Sequence, residues 1–234
     1  MLEMGPPIPD RTPSTYCLPT TIMGDSSATV LDLYDWNAAH NSEYPLFRYV
    51  EHDSVHDLSW QEVNDAARRA ASIFAKCFPP GVHIGVARPV VAILANCGRF
   101  RATSVVDCYL MIDFIADSGT YFCSMVGALR AGFTVFPISP RNSPEAVAHL
   151  FEQVKPCLLF TNADMGQSLQ NILSRAMQLM RESKTGSPPF AQHTLPTFED
   201  MFCVHPTNEA SYLPEVPSKP WRMGDPMCVM HSSG

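Results

Sequence analysis

The strongest constraint on the fold is an alternation between short apolar runs and segments with helical periodicity. Apolar runs at 89–95, 133–138 and 157–160 are each followed along the chain by a segment whose apolar residues recur every three or four positions. Short apolar runs are typical of strands buried on both faces, and the three-to-four spacing is typical of one-sided helices. The alternation predicts an α/β fold with a mostly parallel sheet flanked by helices.

Two of the helices have recognisable starts. Ser59-Trp-Gln-Glu62 matches a capping box, in which two side chains satisfy free N–H groups at the start of a helix. Ser143-Pro144 combines a capping hydroxyl with a proline at the first helical position. Gly132 predicts the end of the helix that contains Met125. The apolar face behind the capping box consists of Val63, Ala66, Ala67, Ala70, Ile73 and Phe74.

The other segments carry weaker patterns. Residues 1–28 are rich in Pro, Ser and Thr and are expected to form a flexible arm. The charged stretch 51–57 resembles a set of metal ligands, but a solvated loop ahead of a helix is the favoured interpretation. Residues 183–226 are expected to form one long irregular connection. We also expect a short helix at 31–37 and strands at 45–50, 82–87 and 226–230.

Composition excludes several classes of partner. Hydrophobic residues make up 46% of the chain and charged residues only 17%, so we expect a globular protein. The net charge of −7 and the lack of a basic cluster argue against nucleic acid or an anionic membrane as a partner. No run approaches the roughly 20 apolar residues that span a bilayer, and the first 25 residues lack a secretory signal pattern. We therefore expect a cytoplasmic protein.

The eight cysteines are scattered, and we expect reduced, buried side chains that behave as small hydrophobes. Cys203-Val-His205 and Cys228-Val-Met-His231 together supply two Cys and two His, which is a possible zinc set. The Cys-x-His spacing is unusual, and several prolines separate the two pairs. No metal site is therefore predicted.

The residues that follow the last predicted strand have the composition of a phosphate-binding loop. His231-Ser232-Ser233-Gly234 would present hydroxyls and backbone N–H groups, which bind phosphate oxygens. We predict Ser232, Ser233 and Gly234 as nucleotide-binding residues. Taken in isolation, the same residues also suit an ordinary flexible terminus.

Three motifs in order resemble the core motifs of adenylate-forming (AMP-binding) enzymes, the superfamily of acyl-CoA synthetases and nonribosomal-peptide adenylation domains. Leu58–Val63 resembles the first motif, Leu129–Ile138 the second, and Asp225–Gly234 the approach to the third. Pro137–Arg141 and the His-Ser-Ser-Gly residues are most similar to fungal adenylate-forming reductases. The resemblance identifies 29–234 as part of the large adenylation domain, so the predicted fold is incomplete and the chain is an N-terminal fragment.

The resemblance implies a two-step reaction. A carboxylic acid attacks the α-phosphate of ATP to give an acyl-adenylate, and a thiol of coenzyme A or of a carrier protein then takes the acyl group. ATP and Mg²⁺ are the implied cofactors. The rest of the phosphate loop and the family's catalytic lysine are absent, so no catalytic residue is assigned and the chain alone is expected to be inactive. The alternatives are a non-catalytic pseudoenzyme or binding module of the same fold, and an unrelated α/β protein.

An atypical insertion is predicted at 98–116. Asp117-Ser118 is expected to cap the next helix, and the family's strand normally reaches that helix through a short loop. The apolar stretch 105–115 would expose an unpartnered surface if it lay in a loop. Our interpretation is intron sequence retained in translation, and the alternative is a real helix that docks on another domain.

Overall fold

In a computed structural model of the chain, the described residues are 15–51, 54–78, 88–95, 110–163, 165–183, 190–202, 220–222 and 224–231. Their helices are α1 (Thr20–Met23), α2 (Val30–His40), α3 (Trp60–Lys76), α4 (Leu110–Arg130), α5 (Pro144–Val154), α6 (Gly166–Glu182) and α7 (Phe198–Phe202). Their strands are β1 (Pro45–Glu51), β2 (Ser54–Ser59), β3 (Val90–Leu94), β4 (Thr134–Ile138), β5 (Leu158–Thr161) and β6 (Ala191–Thr194).

Strands β3 to β6 form one parallel sheet in the order β4-β3-β5-β6, which confirms the predicted α/β class. In the centre, Val91 of β3 pairs with Val135 of β4 on one side and with Leu158 of β5 on the other. All of β5, and all of β3 except its first residue, is buried. Both faces of the sheet are therefore covered, which explains why these strands have continuous apolar sequences.

Two helical layers cover the two faces. Helices α3 and α4 pack on the face that presents Val91 and Ile93, whereas α5 and α6 pack on the face that presents Ala92 and Leu94. In the first layer Phe74 is fully buried, and its ring centroid lies 4.4 Å from that of Phe160. The fold is thus a sheet between two helical layers, the arrangement that buries both faces of a parallel sheet.

Helices α3 and α4 cross at very short range because both carry small residues at the crossing. Gly127 of α4 lies against Ala70 and Ala71 of α3, and a Cβ atom at position 127 would stand only 2.5 Å from the Ala70 Cβ. That separation is well inside van der Waals contact, so a side chain at 127 would force the helices apart.

An ion-pair cluster ties α2 to α4. Arg130 donates hydrogen bonds to both carboxylate oxygens of Asp35, at 2.7 and 3.2 Å, and Arg68 of α3 lies 3.3 Å from the same carboxylate. Burial by itself raises the pKa of Asp35, but the hydrogen bonds and charges of Arg130 and Arg68 outweigh burial and hold that pKa below its ordinary value.

The predicted starts of α3 and α5 and the predicted end of α4 are confirmed. The Ser59 side chain accepts a hydrogen bond from the Glu62 N–H, and the Glu62 carboxylate accepts from the Ser59 N–H at 2.8 Å. The Ser143 hydroxyl accepts from the Ala146 N–H at 3.2 Å, so Pro144 begins α5 as expected. Gly132 follows the end of α4 with a φ of 92°, a conformation that favours glycine.

The start of α4 differs from the prediction. The helix begins at Leu110, so Asp117 and Ser118 lie inside it and do not cap it. No glycine or proline occurs between Leu110 and Ser118, so nothing in the sequence stops the helix from extending backwards past the expected cap. Residues 98–109 of the predicted insertion lie outside the described residues. Its origin as retained intron sequence stays a prediction, which sequencing the transcript tests.

Two segments predicted as irregular form regular elements. His56 and Asp57 lie in β2, which pairs antiparallel with β1, so this part of the expected loop is a hairpin strand. The long connection after residue 183 contains β6 and α7. All four β6 side chains are exposed or half-exposed at the edge of the sheet, so their sequence carries no apolar run.

Two predicted strands have other outcomes. In place of the strand expected at 226–230, the structure has a single β-bridge between Cys228 and Val135. The strand expected at 82–87 lies outside the described residues.

The second half of the predicted arm is attached to α2. The Tyr16 hydroxyl donates to the Asn37 Oδ1, and the Cys17 N–H donates to the Asn41 Oδ1, both at 2.8 Å. Helix α1 follows directly. Residues 1–14 of the arm lie outside the described residues.

Candidate functional site

The carboxyl ends of β3 and β4 define the candidate site. The chain leaves β3 toward α4 on one face of the sheet and leaves β4 toward α5 on the other. Adjacent parallel strands whose connections depart to opposite faces leave a crevice between their carboxyl ends, and ligands of open α/β sheets bind in that crevice. Helices α5 and α6, which follow the two neighbours of β3, both pack on the face opposite α4, so the topology points to the carboxyl end of β3 as a candidate site.

The turn after β4 forms one wall of this crevice. The Asn142 N–H donates to the Ser139 carbonyl at 3.2 Å, and the Ser139 hydroxyl accepts from the Arg141 N–H at 3.3 Å. Ser143 then caps α5. These local hydrogen bonds fix the turn, and they hold the Asn142 side chain, which is half-buried, beside the next chain segment.

That next segment comprises residues 220–222 and 224–231, called here the loop-bearing segment because Ser232 follows it. It runs parallel to β4: the Val135 N–H donates to the Met227 carbonyl and the Val229 N–H donates to the Val135 carbonyl, both at 2.9 Å. At its end, His231 Nε2 lies 3.5 Å from Asn142 Nδ2, which donates when Nε2 is unprotonated. The segment therefore brings His231 to the carboxyl edge of β4.

The other end of the loop-bearing segment is attached at the amino edge of the sheet by Arg88. Its guanidinium carbon lies 3.7 Å from the ring centroid of Trp221, and its Nε donates to the Asp225 carboxylate at 3.1 Å. Arg88 Nη2 donates to the Pro220 carbonyl at 2.9 Å. Trp221 in turn donates from Nε1 to the Leu129 carbonyl at 3.3 Å. Arg88 therefore contacts Pro220, Trp221 and Asp225 of the loop-bearing segment at once, and its hydrogen bonds are of the charge-assisted kind.

The predicted nucleotide-binding residues Ser232, Ser233 and Gly234 lie outside the described residues, so their assignment stays a prediction. The structure places their neighbour His231 at the crevice together with Asn142. Sequence reasoning missed Asn142 and Arg88. Asn142 sits in the polar turn before a recognised helix cap, which is a usable signal. Arg88 acts across 137 residues to Asp225, and no local pattern reveals that contact.

The described cysteines differ in their burial. Burial raises the pKa of the Cys123 thiol to about 12 and that of Cys157 to about 11, so both stay protonated at neutral pH. Cys17 and Cys228 are exposed, contrary to the expectation of burial. Cys203 and His205 lie outside the described residues, which leaves the possible zinc set untested. Across the described part of the chain, no group of three His, Cys, Asp or Glu side chains is placed to hold a metal ion.

None of the described helices is long and apolar enough to cross a membrane.

Solved structures share this fold. A putative long-chain-fatty-acid CoA ligase from Rhodopseudomonas palustris superposes on 89% of the chain with a TM-score of 0.52 and 17% identity, and 42% of that structure is covered. The AMPPNP-bound form of the nonribosomal peptide synthetase FmoA3 (S1046A) superposes on 89% of the chain with a TM-score of 0.50 and 14% identity, over 16% of its length. The chain therefore shares the fold of part of each of these two proteins.

Two proteins of similar sequence are both adenylate-forming reductases. The chain is 28% identical over 240 residues to the adenylate-forming reductase Nps10 of Heterobasidion annosum, an alignment that covers 100% of this chain. It is 28% identical over 185 residues to the adenylate-forming reductase Nps11 of Serpula lacrymans, which covers 77% of the chain. No protein-family model matches it. The chain is thus similar in sequence to two adenylate-forming reductases, and it spans only 19% and 13% of their length.

Proposed function

We propose that the chain supplies the first part of an adenylation domain, which binds ATP at the carboxyl edge of β3 and β4 and activates a carboxylic acid as an acyl-adenylate. One observation carries the proposal: the loop-bearing segment runs along β4 and delivers His231 to the crevice where the connections of β3 and β4 diverge. Ser232, Ser233 and Gly234 follow His231 directly in sequence, which supports a role for them in binding phosphate at this edge of the sheet.

Each group at the crevice has a role in this proposal. The hydroxyls and N–H groups of Ser232 to Gly234 donate to phosphate oxygens and stabilise the charge that develops there during adenylation. Asn142 orients the imidazole of His231 and so holds the start of the loop. Mg²⁺ is proposed to bind together with ATP, through phosphate oxygens, as is usual for this ion. The acceptor of the acyl group is proposed to be a thiol, of coenzyme A or of a carrier protein.

We further propose that these 234 residues do not complete the reaction by themselves. The reductase that they match over their full length is much longer, since the chain covers 19% of it. The alternative is a binding module of the same fold that never catalyses. The two candidates differ in whether the transcript encodes the rest of the phosphate-binding loop. A transcript that reads on into a Ser/Thr-Thr-Gly-x-Pro-Lys sequence supports the enzyme, and a stop codon after Gly234 supports the module.

The test is carboxylate-dependent ATP–pyrophosphate exchange, measured on the purified 234-residue chain and on the protein encoded by the complete transcript. We expect exchange from the longer protein only, and a loss of at least about tenfold with Ser233→Ala, because a phosphate contact of this kind contributes about 1.5–3 kcal/mol. The matched control is Ser168→Ala on the exposed side of α6, which should exchange normally. If the longer protein shows no exchange with any of a broad panel of carboxylic acids, the proposed adenylation activity is wrong. Robust exchange by the 234 residues alone contradicts their inactivity.

The compartment expected from the sequence is the cytoplasm. Fluorescence microscopy of the tagged protein tests this prediction.

A further inference from the structure

Arg88 lies at the end of the sheet opposite to the candidate site, yet its contacts lead to that site. Its side chain is only 3% exposed, and its charged partner Asp225 belongs to the loop-bearing segment. The guanidinium also touches Trp221 and the Pro220 carbonyl of that segment. The buried Arg88 therefore makes three separate contacts within the six residues 220–225, which lie far from it in sequence.

From this attachment the segment follows β4 to the other edge of the sheet. The Thr134 hydroxyl donates to the Pro226 carbonyl at 2.6 Å, and the two hydrogen bonds of Val135 hold Met227 and Val229. The five residues of β4 span about 16 Å, so the attachment at Arg88 and the imidazole of His231 lie at opposite ends of one strand. The position of His231 depends on the register that the Arg88 contacts set.

Apolar packing and polar contacts both hold this stretch. Trp221 and Met227 are half-buried against the core cluster on one face of the sheet, and Val229 is half-buried against the cluster on the other face. No residue from 224 to 231 is fully buried, and Met230 is 77% exposed. The polar contacts of Arg88 therefore add to partial apolar packing, and they are the ones that involve a charge, which makes them stronger than the neutral hydrogen bonds along β4.

We propose that Arg88 is a positioning residue: it fixes the loop-bearing segment against β4 from the amino edge of the sheet and thereby sets the place of His231 at the carboxyl edge, directly ahead in sequence of the predicted phosphate-binding residues. The ligand class is a nucleoside triphosphate, and this part of the inference rests on the proposed function. The register of the segment does not depend on a nucleotide, so the two parts separate experimentally.

The first experiment is amide hydrogen exchange of the 234-residue chain, followed by mass spectrometry, without nucleotide. Arg88→Ala should speed exchange of the peptide that contains Val229 by about tenfold or more, since hydrogen bonds to a charged group contribute about 1.5–3 kcal/mol. Peptides from β3 and β5 should keep their protection. Arg88→Lys retains the charge but not the planar fork, so it should restore protection only in part.

The matched control is Arg48→Ala, which removes an arginine paired with an aspartate, Asp57, on the exposed hairpin. It should leave exchange at Val229 unchanged. If Arg88→Ala does not fold, Asp225→Asn tests the same attachment, because Asp225 is partly exposed and its loss leaves the sheet intact. Unchanged exchange at Val229 in the folded variants, or equal loss of protection in β3 and β5, overturns the positioning role.

The second experiment measures pyrophosphate exchange in the protein encoded by the complete transcript. Arg88→Ala should raise the KM for ATP about tenfold and leave the KM for the carboxylic acid unchanged, a split that general destabilisation does not produce. Local opening in the first experiment together with an unchanged KM for ATP overturns the link to the nucleotide. Local opening together with no exchange even in the unsubstituted protein leaves the positioning of the segment established and contradicts the proposed function instead.

Discussion

The central sheet is held mainly by apolar burial and the loop-bearing segment by partial burial together with polar contacts, although the two share β4. Strands β3, β4 and β5 lie between two helical layers, and side chains such as Phe74, Ile93 and Leu159 are fully buried. The loop-bearing segment has no fully buried residue from 224 to 231 and depends on half-buried side chains as well as on Arg88, Thr134 and the hydrogen bonds of Val135. The part of the molecule that carries the predicted ligand contacts is therefore the part that can open without unfolding the rest.

An arginine–aspartate contact from the helical layer, Arg130 with Asp35, can be compared with the contact of Arg88 and Asp225, because their surroundings differ. Arg130 and Asp35 join α2 to α4, which a shared apolar core also holds together, with Tyr34 and Cys123 in the same cluster. Arg88 and Asp225 join the sheet to a segment that has no fully buried residue from 224 to 231 and packs on the core only through half-buried side chains such as Met227 and Val229. The same kind of contact should thus contribute a larger share of the attachment in the second region than in the first.

The largest expected effect comes from opening the core. Phe74→Ala should lower the free energy of unfolding by about 3–5 kcal/mol, because it leaves a cavity among Phe133, Phe160 and the α3–α4 layer. Chemical denaturation measures it. Phe198→Ala, at a half-exposed ring that stacks on Phe202, is the control and should cost about 1 kcal/mol. Equal losses from the two variants contradict the assignment of Phe74 to the core.

The next effect concerns the helix crossing. Gly127→Ala should destabilise the chain by about 1–3 kcal/mol, since its Cβ would clash with Ala70. Gly119→Ala lies in the same helix with no neighbouring atom within 4 Å of its Cβ, so it should be neutral or stabilise by up to about 1 kcal/mol. Thermal unfolding distinguishes the two. If both variants are more stable than the parent chain, the close approach of α3 and α4 is wrong.

A smaller effect should stay within the loop-bearing segment. Thr134→Val removes the hydroxyl that bonds the Pro226 carbonyl and should cost about 1 kcal/mol of local stability. Hydrogen exchange near Val229 should quicken while the denaturation midpoint of the whole chain hardly moves. Thr194→Val, at an exposed position of β6, should change neither measurement. A shift of the global midpoint without faster local exchange would show that segment and sheet unfold together.

The smallest effect concerns acid. The pKa of Asp35 is held low in the folded chain, so its contribution to stability is present above the unfolded value of about 3.9 and is lost as pH falls through the folded value. The parent chain should lose stability below about pH 4 more steeply than Asp35→Asn. Denaturation curves at pH 3 to 6 measure this. Parallel pH profiles for the two proteins would refute the contribution of the pair.

The sequence predicts the buried parts of this fold well and the edges poorly, for a physical reason. A strand covered on both faces must be apolar throughout, so β3, β4 and β5 are visible as runs, and helix caps such as Ser59 and Ser143 need particular side chains. Strand β6 lies at an exposed edge, where polar side chains are tolerated and leave no pattern, and β2 carries the polar residues His56 and Asp57 in half-buried positions. The helix start at Leu110 was missed because an acceptable cap at Asp117 does not end a helix that can extend beyond it.

The candidate site likewise has one part that local sequence indicates and one part that it does not. Local sequence indicates the loop after His231, because serine and glycine are needed for close backbone contacts with phosphate. The attachment of that loop is a long-range property: Arg88 and Asp225 are 137 residues apart, and Thr134 and Pro226 are 92 apart. Pairs at such distances become neighbours only through the order of the strands, which no local window contains.

The separation of Arg88 from its partners also has a consequence for the order of folding. During synthesis the whole of the sheet through Thr194 emerges before Trp221 does, so the sheet can assemble with the outer side of β4 open. Contacts between residues this distant close a long loop and form late. Until they form, the nascent chain exposes an unpaired strand edge, a surface that invites aggregation and chaperone binding. Arrival of the loop-bearing segment would then both build the candidate nucleotide site and cover this side of β4.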